Sequence, residues 1–291
     1  MSKYLKPLAA VLLYVVVQGG VCLVALMLTL VTSIRDKAVQ GGRDFFAEGT
    51  FPDELPVVPD GWMAMVIIVS GLITVGLLAK PMGVVRIPQA FSVRSVHWRT
   101  VLTAVLACAA GVLACNLFTE RLHLADWSGD SLTGLMDIPL GIVAVGIVGP
   151  IVEEAVFREA LLGDLLLRRV KPAVAIVISA LIFGCIHANP AQIPGAFIIG
   201  LLLAIVYWRT GNIVVTSLLH MANNILCVVQ YRVLGDSAAD FSLTQWLGGD
   251  PVALLVMTST AVLCVGLMMR FVRMYPEVQR AEDSDDDLMY T

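Results

Sequence analysis

The chain has 291 residues, of which 58% are hydrophobic and 14% are charged, and its formal net charge is −4. A mean hydropathy of +0.85 excludes an ordinary soluble domain, and the mildly acidic balance gives no support to nucleic-acid binding. The sequence therefore predicts an integral membrane protein that has the lipid bilayer as a partner.

Eight apolar segments are long enough to cross about 30 Å of hydrocarbon, which takes roughly 20 helical residues each. Because helices satisfy their own backbone in lipid, the predicted fold class is all-α, a polytopic transmembrane helix bundle of about eight spans. We expect one transmembrane domain over residues 1–275 and an acidic, disordered cytoplasmic tail over 276–291. The predicted spans are Pro7 to Thr32, Trp62 to Ala79, Val101 to Leu117, Ile138 to Leu167, Pro172 to Ala188, Ile193 to Tyr207, Ile213 to Val229 and Val252 to Met269.

The Lys and Arg residues are unevenly divided between the two sides of the predicted bundle. Thirteen of the 19 lie on the side of the N-terminus, five lie on the other side, and Arg158 lies inside a span. Because positive residues are retained in the cytoplasm, we expect both termini to be cytoplasmic, at the plasma (inner) membrane if the source is prokaryotic.

The fourth span carries three ionisable residues, Glu153, Glu154 and Arg158. A charged side chain at the bilayer centre costs roughly 2.5–3.5 kcal/mol on insertion scales, so these three residues must pair or perform chemistry. Glu154 and Arg158 are four residues apart, so they share a helix face and can pair. Glu153 lies about 100° round the helix and is predicted to be available for another role. Pro150, just upstream, is expected to free a carbonyl and to let water approach Glu153.

Three more polar side chains fall inside or at the end of predicted spans. His187 ends the fifth span, and the seventh carries His220 and Asn224 on one face, again four residues apart. Single residues of this kind commonly hydrogen-bond to a neighbouring helix. Four such groups on three helices, counting Glu153, indicate a functional cluster in an intramembrane catalytic cavity.

A carboxylate, two imidazoles and an amide are sufficient to add water to a carbonyl. A carboxylate shielded from bulk water is a competent general base, a histidine can relay the proton, and an imidazole and an amide can donate to an oxyanion. The residues Glu153, His187 and His220 could instead hold zinc with one open position. The spacing gives no specific support to zinc, because the chain has no HExxH helix.

These residues resemble the motifs of the CPBP family of intramembrane proteases, which includes the type II CAAX prenyl endopeptidases and the bacteriocin-processing and self-immunity proteins. The run from Glu153 to Arg158 resembles the family's EExxFR motif, Phe183 to His187 resembles FxxxH, and His220 to Asn224 resembles HxxxN. The three motifs occur in the family's order on separate spans, within a core of about residues 138–229.

The resemblance implies roles for the matching positions. It implies that Glu153 activates water with His187, that His220 and Asn224 stabilise the oxyanion, and that Glu154 and Arg158 support the site. It also favours a metal-free mechanism, with zinc as the alternative. Glu159 stands where many relatives have glycine, which puts substrate access in question.

The predicted function is that of a membrane-embedded endopeptidase of the CAAX protease type, which hydrolyses peptide bonds with water activated by glutamate and histidine. Its expected substrate is a peptide or membrane protein, and a prenylated C-terminus is one such substrate. Three alternatives stay open at this stage. They are a zinc-dependent form of the same protease, a non-catalytic membrane partner that regulates another membrane protein, and a proton-coupled transporter.

Overall fold

A computed structural model describes residues 5–41, 57–80, 82–85, 98–127, 129–235 and 241–274. The predicted acidic tail therefore lies outside the described residues, as do the segment 42–56 that follows the first helix and the segment 86–97. The described residues form ten helices and their connecting turns. The helices are α1 (Lys6–Gly41), α2 (Asp60–Ala79), α3 (Trp98–Glu120), α4 (Gly129–Asp137), α5 (Pro139–Leu167), α6 (Pro172–Cys185), α7 (Ile193–Thr210), α8 (Ile213–Leu234), α9 (Leu243–Trp246) and α10 (Asp250–Met274).

The all-helical fold class and the multi-pass membrane character are confirmed. Seven of the described helices are long and apolar enough to cross a membrane, namely α1, α2, α3, α5, α7, α8 and α10. The eighth predicted span corresponds to α6, which has 14 residues and is apolar. At 1.5 Å per residue α6 is about 21 Å long, so it does not cross the full hydrocarbon thickness as a helix.

Several predicted boundaries were wrong. Helix α1 continues to Gly41, nine residues beyond Thr32, because the polar residues after the apolar run still form a helix. Helix α6 ends at Cys185, so His187 lies in the turn that follows it and not within the span. The short helices α4 and α9 were not predicted, because the membrane-span pattern on which the prediction relied does not detect short polar helices.

Helix α5 lies at the centre of the bundle and contacts α1, α2, α6, α7 and α8. The outer helices pack in pairs around it, with α1 along α2, α6 along α7, and α3 along α10. The largest group of buried apolar side chains joins these layers and includes Phe157, Phe183 and Leu203. The central position of α5 explains why its charged residues can be removed from lipid.

Local sequence signals set the ends of the helices around α5. Pro139, Pro172 and Pro194 each stand in a first helical turn, where the missing N–H has no cost. Gly211 ends α7 with φ of +59°, a conformation that glycine adopts without strain. Asn212 then begins α8, because its side chain accepts hydrogen bonds from the backbone N–H groups of residues 214 and 215.

Helix α5 has two segments of π-helix, Ala144–Val148 and Ala155–Gly163. The six residues between them, Gly149–Glu154, are α-helical and carry the two adjacent glutamates. π-helical turns form i→i+5 hydrogen bonds and occur frequently at functional sites. The irregular backbone thus flanks the two glutamates, and Arg158 lies within the second π-helical segment.

Two glycines allow α6 and α7 to pack closely against each other. A Cβ atom on Gly200 would lie 3.0 Å from Cδ1 of Phe183 and 3.3 Å from Cα of Ala180. A Cβ atom on Gly184 would lie 3.1 Å from the carbonyl oxygen of Ile193. Small residues of this kind let helix backbones approach in membranes. This close approach fixes the position of Phe183 against α5.

We expect Gly200→Val to lower the free energy of unfolding by about 1–3 kcal/mol, because the added methyl groups overpack the contact with Phe183 and Ala180. Thermal unfolding in detergent, followed by loss of folded monomer, measures the effect. The matched control is Gly266→Val on α10, where a Cβ atom would have nothing within 4 Å. Equal destabilisation by the two variants would contradict the proposed close packing.

Candidate active site

The adjacent glutamates of α5 occupy different environments. The side chain of Glu154 is fully buried, whereas that of Glu153 is 19% exposed. This difference follows from the helical rotation of about 100° between neighbouring residues, which turns Glu154 toward Arg158 and Glu153 away from it.

Glu154 forms a buried ion pair with Arg158. The Nε atom of Arg158 lies 3.0 Å from Oε2 of Glu154, and both side chains are fully buried. The contact is an ion pair at this distance, and neither of the two atoms has a hydrogen-bond partner among the described residues. The guanidinium also lies 5.0 Å from the ring centre of Phe183, and its Nη1 donates to Oγ of Ser179 at 3.4 Å. Ser179 in turn donates to the carbonyl oxygen of Phe157 at 2.9 Å, so α6 is tied to the π-helical segment of α5.

His220 on α8 contacts both glutamates. Its Nδ1 lies 3.1 Å from Oε1 of Glu154, and its Nε2 lies 3.6 Å from Oε2 of Glu153. Because the Glu154 carboxylate is paired with Arg158 and accepts hydrogen bonds, we place the proton of a neutral His220 on Nδ1. The Nε2 atom then faces Glu153 as an acceptor. The imidazole in direct contact with Glu153 is thus His220, where the resemblance implied His187.

His187 is held in the turn after α6. Its Nδ1 lies 2.8 Å from the carbonyl oxygen of Phe183, an acceptor, so Nδ1 carries the proton and Nε2 is the available end. The ring of Phe183 contacts both imidazoles, with ring centres 5.1 Å from His187 and 5.7 Å from His220. The turn is anchored by the buried Asn189, which donates to Oδ1 of Asp126 at 2.8 Å.

Asn224 on α8 donates through Nδ2 to the carbonyl oxygen of Val145 at 2.9 Å. The N–H of Gly149 bonds to the carbonyl of Ala144, five residues back, so in this register the next carbonyl, that of Val145, would face Pro150. Proline has no N–H to donate, and the amide of Asn224 supplies the missing donor. The carbonyl that Pro150 was predicted to free is therefore used to position Asn224.

A small polar cavity lies beside Glu153. Its volume is about 140 Å³, which holds a few water molecules at roughly 30 Å³ each. The lining comes from α1, α2, α5 and α8, and consists of Tyr14, Gln18, Ile67, Val145, Gly149, Val152, Glu153 and Asn224. Of the four predicted catalytic residues, Glu153 and Asn224 line this cavity, His220 contacts Glu153, and His187 is connected to them through the ring of Phe183.

Tyr14 and Gln18 were missed by the sequence analysis. They are four residues apart on α1 and therefore share one face, but they are uncharged and do not stand out in an apolar span. Ser70 on α2 donates to Oε1 of Gln18 at 3.2 Å. The amide nitrogen of Gln18 is thus the end that remains to donate into the cavity.

Glu159 has a partner away from this cavity. It accepts a hydrogen bond of 2.5 Å from the hydroxyl of Tyr207, a buried residue of α7. Glu159, which directly follows the EExxFR-like motif, therefore has a hydrogen-bond partner on α7 and does not line the cavity beside Glu153.

The residues predicted for the zinc alternative do not form a ligand set in this arrangement. Among the residues with described positions, no three His, Cys, Asp or Glu side chains are grouped to hold a metal ion. Each imidazole uses Nδ1 for another contact, as zinc-ligating histidines commonly do, so this contact does not exclude Nε2 as a ligand. It is the placement of the side chains in the described residues that does not bring Glu153, His187 and His220 together as a three-ligand zinc site.

Comparison with known proteins supports the resemblance. Residues 136–226 match the family described as Type II CAAX prenyl endopeptidase Rce1-like. The chain is 34% identical over 106 residues to the membrane-embedded CAAX protease MroQ of Staphylococcus aureus (strain USA300), a match that covers 35% of this chain and 42% of that protein. It is 35% identical over 92 residues to YdiL of Bacillus subtilis (strain 168), whose name proposes a membrane peptidase, with 32% and 37% covered. No solved structure matches the chain.

The chain spans about two fifths of the length of the curated relatives it matches. The family resemblance predicted from the three motifs is confirmed over residues 136–226, which run from the end of α4 into α8. This segment contains all six predicted site residues. Helices α1 to α3, including Tyr14 and Gln18, lie outside it.

We expect the single variants Arg158→Met and Glu154→Gln each to lower the free energy of unfolding by about 3–5 kcal/mol. Each substitution removes one charge of the pair and leaves the other buried without its partner. The double variant should lose less than the sum of the two single variants, as removal of both charges restores neutrality. Thermal unfolding in detergent measures all three. The control is Arg232→Met, which breaks a half-exposed pair with Asp137 and should cost no more than about 1 kcal/mol. Strictly additive losses would contradict the pairing.

Proposed function

We propose that this protein is a membrane-embedded endopeptidase in which Glu153 activates a water molecule for attack on a peptide carbonyl. The observation that carries the proposal is the position of Glu153, a partly exposed carboxylate at a water-sized cavity between membrane-spanning helices. A carboxylate that is not neutralised by Arg158 and has access to water is suited to act as a general base.

The proposed reaction begins when Glu153 takes a proton from a water molecule in the cavity. The hydroxide adds to the carbonyl carbon, and the carbonyl oxygen becomes an oxyanion. The proton then passes from Glu153 to the leaving amine, and the carbon–nitrogen bond breaks. The Nε2 atom of His220, 3.6 Å from Oε2 of Glu153, can share this proton during the transfer.

Oxyanion stabilisation is assigned to amides in this proposal. With their protons on Nδ1, neutral His187 and His220 each present Nε2 as an acceptor, which does not stabilise negative charge. Asn224 uses one N–H for Val145 and has a second for the cavity, and the amide nitrogen of Gln18 donates from the opposite wall. His187 does not line the cavity, so we assign its Nε2 atom to accepting a hydrogen bond from the substrate backbone.

The substrate that we propose is an extended peptide segment that enters from the bilayer or its surface, and the similarity to a protein named as a membrane-embedded CAAX protease supports a peptide substrate. A prenylated C-terminal peptide is the first substrate to test. We further propose that both termini lie in the cytoplasm, on the side that holds most of the Lys and Arg residues.

We expect Glu153→Gln to reduce cleavage by roughly 10²–10⁴-fold, the usual contribution of a general base, while leaving thermal stability nearly unchanged. The measurement is cleavage of a farnesylated C-a-a-X peptide by protein in proteoliposomes, with the unprenylated peptide in parallel. Glu159→Gln is the matched control on the same helix, since a glutamine can still accept the hydrogen bond from Tyr207.

Two outcomes would count against the proposal. Unchanged cleavage by the Glu153→Gln variant would refute a mechanism in which Glu153 activates water, and a cellular function that survives the same change would favour the non-catalytic membrane partner.

A chelator addresses the zinc alternative, because we propose that turnover needs no bound metal. Loss of activity with a chelator and its return with zinc would establish the metal-dependent form.

We expect Gln18→Leu to lower kcat by roughly tenfold or more with little change in KM, because a donor to the transition-state oxyanion is lost. Steady-state kinetics with the same peptide measures the two constants. Val16→Leu is the control on α1, since Val16 is 59% exposed on the outer face of that helix. A rise in KM without a change in kcat would instead assign Gln18 to substrate binding.

A further inference from the structure

A long apolar groove lies on the bundle apart from the cavity beside Glu153. Its volume is about 1090 Å³, and its walls are formed by α3, α6, α7 and α10. The lining is almost entirely apolar and includes Ala114, Ile176, Leu201, Ala261 and Met268. Along α10 it runs from Met257 to Arg273, which is about 24 Å at 1.5 Å per residue. A groove of this length and chemistry fits a hydrocarbon chain.

The groove and the candidate active site share no lining residue. The cavity beside Glu153 is lined by residues of α1, α2, α5 and α8, and the groove by residues of the four remaining long helices. The groove is therefore a separate site, and an occupant of it would not contact Glu153 directly.

Positive charge collects at one end of the groove. The lining residues Ala173, Trp208 and Arg273 mark this end, at the start of α6 and the ends of α7 and α10. Lys171 directly precedes α6, and Arg209 stacks over the Trp208 ring with its Cζ 3.8 Å from the ring centre. The buried Nε of Arg209 has no hydrogen-bond partner.

The two ends of the groove differ in how their cations are neutralised. Near the other end, which Phe118 and Met257 line, Arg121 forms an ion pair with Asp250 at 3.0 Å. At the Arg273 end, neither Arg273 nor Arg209 nor Lys171 has a carboxylate within ion-pair distance in the part of the chain that the structure describes. An anion bound at this end of the groove would pair with these cations.

We propose that the groove binds an anionic phospholipid, with an acyl chain along α7 and α10 and the phosphate at Arg273. The long apolar lining selects a hydrocarbon chain, and the cluster of guanidinium and ammonium groups at one end selects a negative headgroup. Trp208 stands two residues before the end of α7, a position that suits an indole ring at the interface between lipid and water. This inference goes beyond the proposed function and does not depend on it.

The test is native mass spectrometry of the full chain, delipidated in detergent and then given equal amounts of dioleoylphosphatidylglycerol and dioleoylphosphatidylcholine. We expect retention of one phosphatidylglycerol in preference to phosphatidylcholine. Arg273→Gln should weaken this binding roughly tenfold, the effect of losing one charge-assisted hydrogen bond. Arg270→Gln is the matched control, an exposed arginine one turn earlier on α10 that does not line the groove.

A second pair of variants tests the apolar part of the groove. Ala261→Trp should fill it and reduce lipid retention at least as strongly, whereas Val262→Trp, at a 73% exposed position outside the lining, should have no effect. Equal retention of the two lipids, equal effects of the paired variants, or displacement of the lipid by farnesylcysteine methyl ester would overturn the proposal. Glu153→Gln should retain the lipid normally, so a failure of the proposed protease activity would be distinguishable from a failure of this one.

Discussion

The buried pair of Glu154 and Arg158 is the interaction on which the candidate site depends. Taking two charges out of water is costly, and their mutual attraction and further contacts on both partners offset part of this cost. Glu154 also accepts from His220, and Arg158 also reaches Ser179 and the ring of Phe183. One ion pair thereby contacts α5, α6 and α8, of which α5 and α8 carry three of the predicted catalytic residues and α6 leads into the turn that holds His187.

The same ion pair gives the two adjacent carboxylates different roles. Arg158 neutralises Glu154, which then holds His220 in one tautomer, and the helical turn directs Glu153 to the cavity. In enzymes, two neighbouring carboxylates commonly take different roles, one structural and one chemical, because their environments differ. A single carboxylate at this position could not both orient the imidazole and remain available to water.

Much of this arrangement could be predicted from the sequence, because it follows from length and helical period. Hydropathy identified seven of the spans, and the four-residue spacing indicated the pairing of Glu154 with Arg158. The π-helical segments of α5 could not be predicted, since they depend on packing and leave no signal in the spacing of apolar residues along the sequence. The contact of Asn224 with Val145 follows from that register and was missed for the same reason. Tyr14 had the right spacing to Gln18, but uncharged polar groups carry too little signal in an apolar helix.

The cavity beside Glu153 is lined partly by the segment that matches the family and partly by helices outside that segment, which bears on substrate specificity. The segment 136–226 supplies Glu153 and Asn224, and α1 and α2 supply Tyr14, Gln18 and Ile67 from outside the match. Groups that perform a common reaction can stay fixed while the opposite wall changes, because the wall decides which substrates reach the reacting atoms. We therefore propose that α5 and α8 supply the chemistry of the protease, and that the first two helices govern its choice of peptide.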